Sequence, residues 1–379
     1  METLQFSKDV LQWAASQAGK SLDELARKVS TRSAAEITEG LLTGQQAVKF
    51  AKEAGVPFGY LFLHDAPQAR TLPLADFRTL TKSDPLGRDF YEVYDDIENK
   101  HIWYKEHLQN LGATPLPFVG RYKAGDASPA QVAKNMREVL GFSVFESESL
   151  RSPDELFSVL SAKCEQAGIL VFKNGVVGNN THRPLSVAEF RGFAICDRIV
   201  PVIFVNGADA ASAWVFTLAH ELAHVWLGES GISDASPYSS NKHERTCNAI
   251  AAEFLVPKIE FLSLWSRNEI RTTQGKLEEA RRRFKVSGLV VARRALELQL
   301  IGDNAYDTIY ERDKHNRKKA SGGGDFYLTL ATRNSRRFSQ RVAALAMSGA
   351  LSLREAGQLL NTNPNNVVKF HARQKSIPL

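Results

Sequence analysis

His220 and His224 stand four residues apart in the run FTLAHELAHVWLG, with Glu221 directly after the first. This pair restricts the fold more than any other feature of the chain. On an α-helix, residues i and i+4 lie on one face one turn apart, so two imidazoles at this spacing take adjacent positions on one tetrahedral metal. Glu221 is placed beside them to accept a proton from an attacking water. Trp214, Phe216 and Trp226 flank the motif at helical spacing and read as core residues of the same helix. The three cysteines, Cys164, Cys196 and Cys247, form no CxxC. Neither a disulfide framework nor a four-cysteine zinc site is therefore available, and Cys164 and Cys196 read as buried small hydrophobes.

A tetrahedral site needs a third protein ligand, and HERTCNAIAAEFLVP supplies candidates downstream. Glu244, Cys247, Asn248, Ala251 and Leu255 repeat on one helical face, which turns the Glu244 carboxylate inward beside small residues. Asn248, one turn on, can accept a hydrogen bond from the second ring nitrogen of a ligand histidine and so fix its tautomer. Glu253 is the alternative third ligand; it lies nine residues beyond Glu244, rotated by about 180°, so the two cannot face one metal. Attack by an activated water on a carbonyl would also need a donor for the developing oxyanion, and Tyr238, His243 and His182 are the polar groups nearest the motif in sequence. His243 reads equally well as an exposed helix-start residue. The run IVPVIFVN is either a buried strand or an edge offered to an extended substrate.

FTLAHELAHVWLG followed by ERTCNAIAAEFLVP resembles the ImmA/IrrE metallopeptidases, which pair HExxH with an ExxAN-like helix, as gluzincins of the thermolysin type pair it with ExxxD. EFRGFAICDRIVPVIFVN is similar to the strands before the zinc helix in that family, so the likeness spans about residues 185–300. The resemblance implies a zinc-dependent endopeptidase with one Zn2+ per chain, His220, His224 and Glu244 as ligands and Glu221 as general base. Cys247 stands where the family usually has alanine, a change expected to matter little. Family members relieve repression in mobile elements and stress responses. The implied substrate is thus a specific regulatory protein, such as a transcriptional repressor or an antitoxin. The rival reading is a non-catalytic DNA-binding regulator or toxin-antitoxin component that uses the zinc fold to bind a partner. The intact Glu221 favours the enzyme, because a pure binding module has no chemical need for it.

The expected fold class is α+β and mostly helical, with a small sheet and zinc-binding helices in the peptidase domain and helical domains at either end. Residues 1–70 resemble a degenerate helix-turn-helix domain of the XRE type. Ser21 caps a helix with Glu24 three residues on, and QAVKFAKEAG repeats the helical pattern. This segment departs from that family in lacking a glycine in the turn after Val29 and in balancing 8 basic against 8 acidic side chains. It therefore suits docking or dimerisation as well as DNA binding. Residues 71–125 read as a connector, 126–312 as the ImmA/IrrE-like peptidase domain, 313–324 as a charged, glycine-rich linker and 325–379 as a basic helical domain. Within the peptidase segment, strands are expected at GILVF, FRGFAI and IVPVIFVN, with VVGNNTHRP as a polar loop.

The net charge of +6 is unevenly placed. Residues 301–379 hold 13 Lys and Arg against 6 Asp and Glu, so the excess lies wholly in the C-terminal fifth. DNA contact through phosphate neutralisation is then expected from residues 281–379, which include Arg281, Arg282 and Arg283. Two stretches there, LEEARRRFKVSGLVVARRALELQL and LSLREAGQLLNTNPNNVVKF, read as helix, turn and helix. The alternatives are a solvated helix face and a tail packed on the peptidase domain. No long apolar run or secretory leader is present in the sequence, so no membrane partner and a cytoplasmic location are expected. A homodimer is left open.

Overall fold

A computed structural model describes residues 3–67, 72–78, 86–233, 241–267, 272–315 and 325–374. The chain divides into two compact units, Met1–Pro73 with Pro85–Tyr94, and Leu74–Asp84 with Asp95–Leu379. Among the described residues, no helix is long and apolar enough to cross a membrane.

In the first unit β1 (Thr3–Gln5), α1 (Lys8–Gln17), α2 (Leu22–Val29), α3 (Ala34–Thr38), β2 (Leu41–Thr43) and α4 (Gly44–Ala54) follow one another, with a 3-10 turn at Phe58–Phe62. The capping box expected at Ser21 is present: its Oγ accepts from the Glu24 amide at 3.2 Å, and the Glu24 carboxylate accepts from the Ser21 amide at 2.9 Å. Thr43 and Gln46 repeat the device at α4. Leu25, Ala26, Val29, Ile37, Phe50 and Leu61 share one core. The antiparallel pair β1 and β2 is too short to leave a period in the sequence.

The second unit opens with β3 (Ala75–Asp76) and receives α5 (Arg88–Asn110) from Asp95 onward. Then come α6 (Pro129–Leu140), α7 (Glu146–Ser149), α8 (Pro153–Gln166), β4 (Leu170–Asn174), β5 (Val176–Val177), β6 (Asn180–Pro184), β7 (Gly192–Ile195) and β8 (Val202–Asn206). The motif helix is α9 (Ala211–Leu227), followed by β9 (Gly231–Ser233) and α10 (Lys242–Leu255). After these lie α11 (Lys258–Trp265), α12 (Thr273–Phe284), α13 (Gly288–Glu297), α14 (Asp303–His315), α15 (Phe326–Arg333), α16 (Arg336–Met347), α17 (Leu353–Leu359) and α18 (Pro364–Gln374). The architecture is thus α+β and mostly helical, as the sequence indicates.

The main sheet has the order β3-β9-β7-β8-β4, with β3 parallel to β9, β4 parallel to β8, and β7 antiparallel to both its neighbours. The three expected strands are β4, β7 and β8. Because β8 is hydrogen-bonded on both sides and buried at every position, IVPVIFVN offers no edge to a substrate. The expected loop VVGNNTHRP is instead the antiparallel ribbon of β5 and β6, turned at Gly178 with φ +56. Most of β6 is exposed and polar, so no apolar alternation announced it. Helix α9 packs among α6, α8 and α10, and Met136, Leu160, Leu218, Leu222, Ile250 and Phe254 meet in their shared core. Trp214 and Trp226 are buried and Phe216 is half-buried against the same core, as the spacing indicates.

The C-terminal helices dock on the α5, α8 and β4 side of this unit. Glu165, at the end of α8, receives the Ser335 hydroxyl at 2.6 Å and the Arg336 and Arg337 amides at 2.8 and 3.2 Å. These are amides that the start of α16 leaves without intrahelical partners, where a carboxylate is favoured by the helix dipole. Lys100, buried on α5, donates to Asp96 at 2.5 Å and to Asn334 at 2.8 Å, while Asn361 donates to the same Asp96 carboxylate at 2.9 Å. The linker expected at 313–324 begins inside α14, and its residues 316–324 lie outside the described residues.

Candidate metal centre

Helices α9 and α10 bring four ionisable side chains to one buried point. His220 and His224 project from one face of α9, one turn apart, and Glu244 faces them from the first turn of α10. The three ligand groups form a compact triangle: the two Nε2 atoms are 3.2 Å apart, and each lies 3.2 Å from a different oxygen of the Glu244 carboxylate. Around a tetrahedral zinc with ligand distances of about 2.0–2.1 Å, neighbouring donors sit about 3.3–3.4 Å apart. The triangle therefore fits such an ion without rearrangement.

The ring nitrogens on the far side bear on the tautomers. His220 Nδ1 is 2.9 Å from Asn248 Oδ1, and His224 Nδ1 is 3.6 Å from Cys247 Sγ. An amide oxygen only accepts, so His220 carries its proton on Nδ1 and presents the Nε2 lone pair to the centre. The Cys247 thiol can either accept from His224 Nδ1–H or donate to Nδ1, so it does not by itself set that tautomer. The His220 lone pair, the His224 ring nitrogen and both Glu244 oxygens, which accept no well-formed hydrogen bond from the described residues, thus converge at one point, and among the described residues no Lys or Arg pairs with them. Only a cation satisfies such a set, and a proton serves in place of a metal. Burial opposes charge on His220, but the adjacent Glu244 carboxylate overrides it and pushes the pKa up to about 9. Burial likewise acts to raise Glu244, while His220 beside it brings the value down to about 2.

Glu221 is fully buried. One carboxylate oxygen accepts the Ser233 hydroxyl from β9, and the other has no partner among the described residues. Burial pushes this carboxyl above the usual range, with His224 and His220 acting in the opposite direction. A carboxyl so placed gives up and takes protons closer to neutral pH than an exposed one. Close packing against β7 depends on Gly192, where a Cβ would lie 2.8 Å from Glu221 Oε1 and 2.9 Å from the Phe204 carbonyl.

The remaining sequence candidates do not join the triangle. Glu253 is turned away on α10 and forms an ion pair with Arg294, which corrects the alternative of Glu253 as third ligand. The cause is the rotation along the helix that separates it from Glu244. His243 faces Glu229 at 3.0 Å, and His182 is exposed on β6. Tyr238 lies outside the described residues. Four neighbours escaped the sequence reading: Ser233 at Glu221, Cys247 at His224, Gly192 beneath Glu221, and Phe77, whose ring stacks on His224 with centroids 5.3 Å apart. Only Cys247 carried a local signal, since it lies on the same helical face as Glu244 and Asn248.

The basic run behaves differently from its sequence appearance. Arg281 pairs with Glu278, Arg282 with Glu279 and Arg283 with Glu148.

Comparison with known families places the same residues in context. Residues 164–296 match the peptidase family model described as IrrE N-terminal-like domain. Residues 334–373 match a domain of unknown function (DUF8813), which begins where α15 hands over to α16. No curated protein matches the chain. The stretch that holds His220, Glu221, His224 and Glu244 is thus similar to the IrrE N-terminal-like domain, in support of the ImmA/IrrE likeness carried by its motifs.

Proposed function

We propose that this chain is a zinc-dependent endopeptidase of narrow specificity that cleaves a regulatory protein such as a repressor or an antitoxin. The observation that carries the reading is the buried triangle of two Nε2 atoms and one carboxylate, with Glu221 on the adjacent helix position. When bound, zinc would supply Lewis-acid polarisation of the scissile carbonyl and of the attacking water. His220, His224 and Glu244 would hold it, and Asn248 keeps His220 in the ligating tautomer. Glu221 takes the proton from the attacking water and returns it to the leaving amine, while the Ser233 hydroxyl orients its carboxylate. A regulatory substrate accords with the flanking helical segments, which resemble parts of DNA regulators rather than of a digestive enzyme.

The test is Glu221→Gln. The variant should bind zinc and fold as the wild type does but lose cleavage of the cognate repressor or antitoxin, because an amide cannot take the proton. Equal biological output from both forms would support the non-catalytic rival instead.

A further inference from the structure

Strand β9 carries Ser233, the hydroxyl that holds Glu221, so its outer edge runs past the reacting groups. A free strand edge beside a peptidase site is where an extended peptide adds by backbone hydrogen bonds. Here that edge is taken by the chain itself. Ala75 donates to the Ser230 carbonyl at 3.3 Å and Phe77 to the Ile232 carbonyl at 3.0 Å, with Ala75 opposite Gly231 and Asp76 opposite Ile232. The Phe77 ring lies flat on the His224 imidazole, inclined by 5°, and continues toward His243 at 6.1 Å. Arg78 anchors the far end through Asp76 and the Glu189 carbonyl.

The floor under this segment is shaped to receive it. A Cβ on Gly231 would lie 2.2 Å from Phe77 Cε2 and 2.3 Å from Cδ2. Gly231 is not left-handed, so the ring rather than the backbone requires a glycine there. The Phe77 ring adds cover on the His224 side of the ligand set, where His220, Glu221, His224 and Glu244 each have 0% exposure. A metal that acts on a peptide needs a fourth position that the substrate can reach past these buried groups.

Resting on the metallopeptidase reading, we propose that residues 74–78 are an internal strap. It occupies the peptide-binding edge of β9 in place of a substrate and keeps the site latent until it is displaced. The substrate class that follows is an extended peptide paired with β9, with an aromatic side chain over His224. The strap is held by a two-residue ladder, the Phe77 ring and the Arg78 anchor, a short element of the kind that opens below the cost of global unfolding.

The experiment uses the full chain with two substitutions, Phe77→Ala and Gly231→Ala, and two readouts. The first is the rate at which an excess of a chromogenic chelator captures bound zinc. Both variants should release zinc at least about tenfold faster than wild type, because opening no longer precedes access. The second is fluorescence anisotropy of a labelled synthetic peptide, TLPLADFRTL, which reports on the groove with or without metal. It should bind Phe77→Ala at least about tenfold more tightly than wild type, since the groove is vacated. Binding should be lost in Gly231→Ala, whose methyl group excludes the peptide's ring. Unchanged zinc capture in both variants would overturn the strap, as would a peptide that binds Phe77→Ala no better than wild type or Gly231→Ala. Failure of the wild type to hold zinc would instead remove the metallopeptidase reading, and the peptide would still decide the strap. Circular dichroism identifies a misfolded variant, in which case the other variant carries the comparison.

Discussion

His220 Nδ1 lies 2.9 Å from Asn248 Oδ1, one helical turn beyond Glu244 on α10. One short helix thus supplies both a ligand candidate and the group that orients a partner ligand. Replacing Asn248 with Leu removes the acceptor while keeping the volume close. Zinc affinity should fall about 10–100-fold with the fold intact, the cost usual for losing such an orienting partner. Competition against a chelator of known affinity measures it, and undiminished affinity would contradict the tautomer argument.

Cys247 faces the other histidine at 3.6 Å, through a thiol that can either accept or donate. Cys247→Ala should therefore change zinc affinity by less than about threefold, well short of the Asn248 effect. Burial pushes this thiol well above its ordinary pKa, so it stays protonated and unreactive at neutral pH. Slow reaction of the native protein with a thiol reagent at Cys247 checks the second statement.

Protons compete with the metal. Because the His220 pKa stands at about 9 without a cation, zinc must displace a proton at neutral pH. Apparent affinity should rise about tenfold per pH unit up to roughly pH 9 and then flatten. In the metal-free protein the raised His220 contributes stability that is complete below its unfolded value of about 6.5 and is lost as pH climbs through 9. The lowered Glu244 contributes stability that is complete above its ordinary value of 4.5 and is lost as pH falls toward 2. Thermal melts of metal-free protein should therefore show this pair most stabilising between those ordinary values. A melting temperature that rises steadily from pH 6 to 9 would run against it.

Local periodicity made the centre legible and left its surroundings dark. The i, i+4 spacing of the histidines and the face shared by Glu244 and Asn248 are properties of single helices, which a sequence displays directly. The same arithmetic separates Glu253 from Glu244, and the Arg294 ion pair shows where Glu253 goes instead. Ser233, Gly192 and Phe77 reach the centre on strands or strand ends of two to four residues, whose partners lie far along the chain. No window of sequence contains that pairing. Charge counting places the basic excess in the C-terminal segment, and several of its arginines bond to neighbouring elements that no local window contains. Arg337 bonds the Glu165 carbonyl, Arg341 bonds His107, and Arg333 bonds Asn179.

The Glu165 carboxylate joins α8 to the start of α16 by three hydrogen bonds. Glu165→Ala should cost about 1–3 kcal/mol, the range for buried donors left without their acceptor. It should also speed limited proteolysis in the C-terminal helices while leaving zinc content unchanged. Proteolysis at the wild-type rate would show that docking rests on apolar contacts such as that of Phe338 with Phe172 instead.

Zinc content combined with X-ray absorption at the zinc edge tests the central claim most directly. The wild type should carry one zinc per chain, with imidazole nitrogen and carboxylate oxygen as its protein donors and no sulfur, although Cys247 lies close by. Glu244→Ala should lose the metal, and Glu253→Ala should retain it. Loss of zinc from Glu253→Ala alone, or sulfur among the donors, would contradict the assignment of His220, His224 and Glu244 as the metal centre.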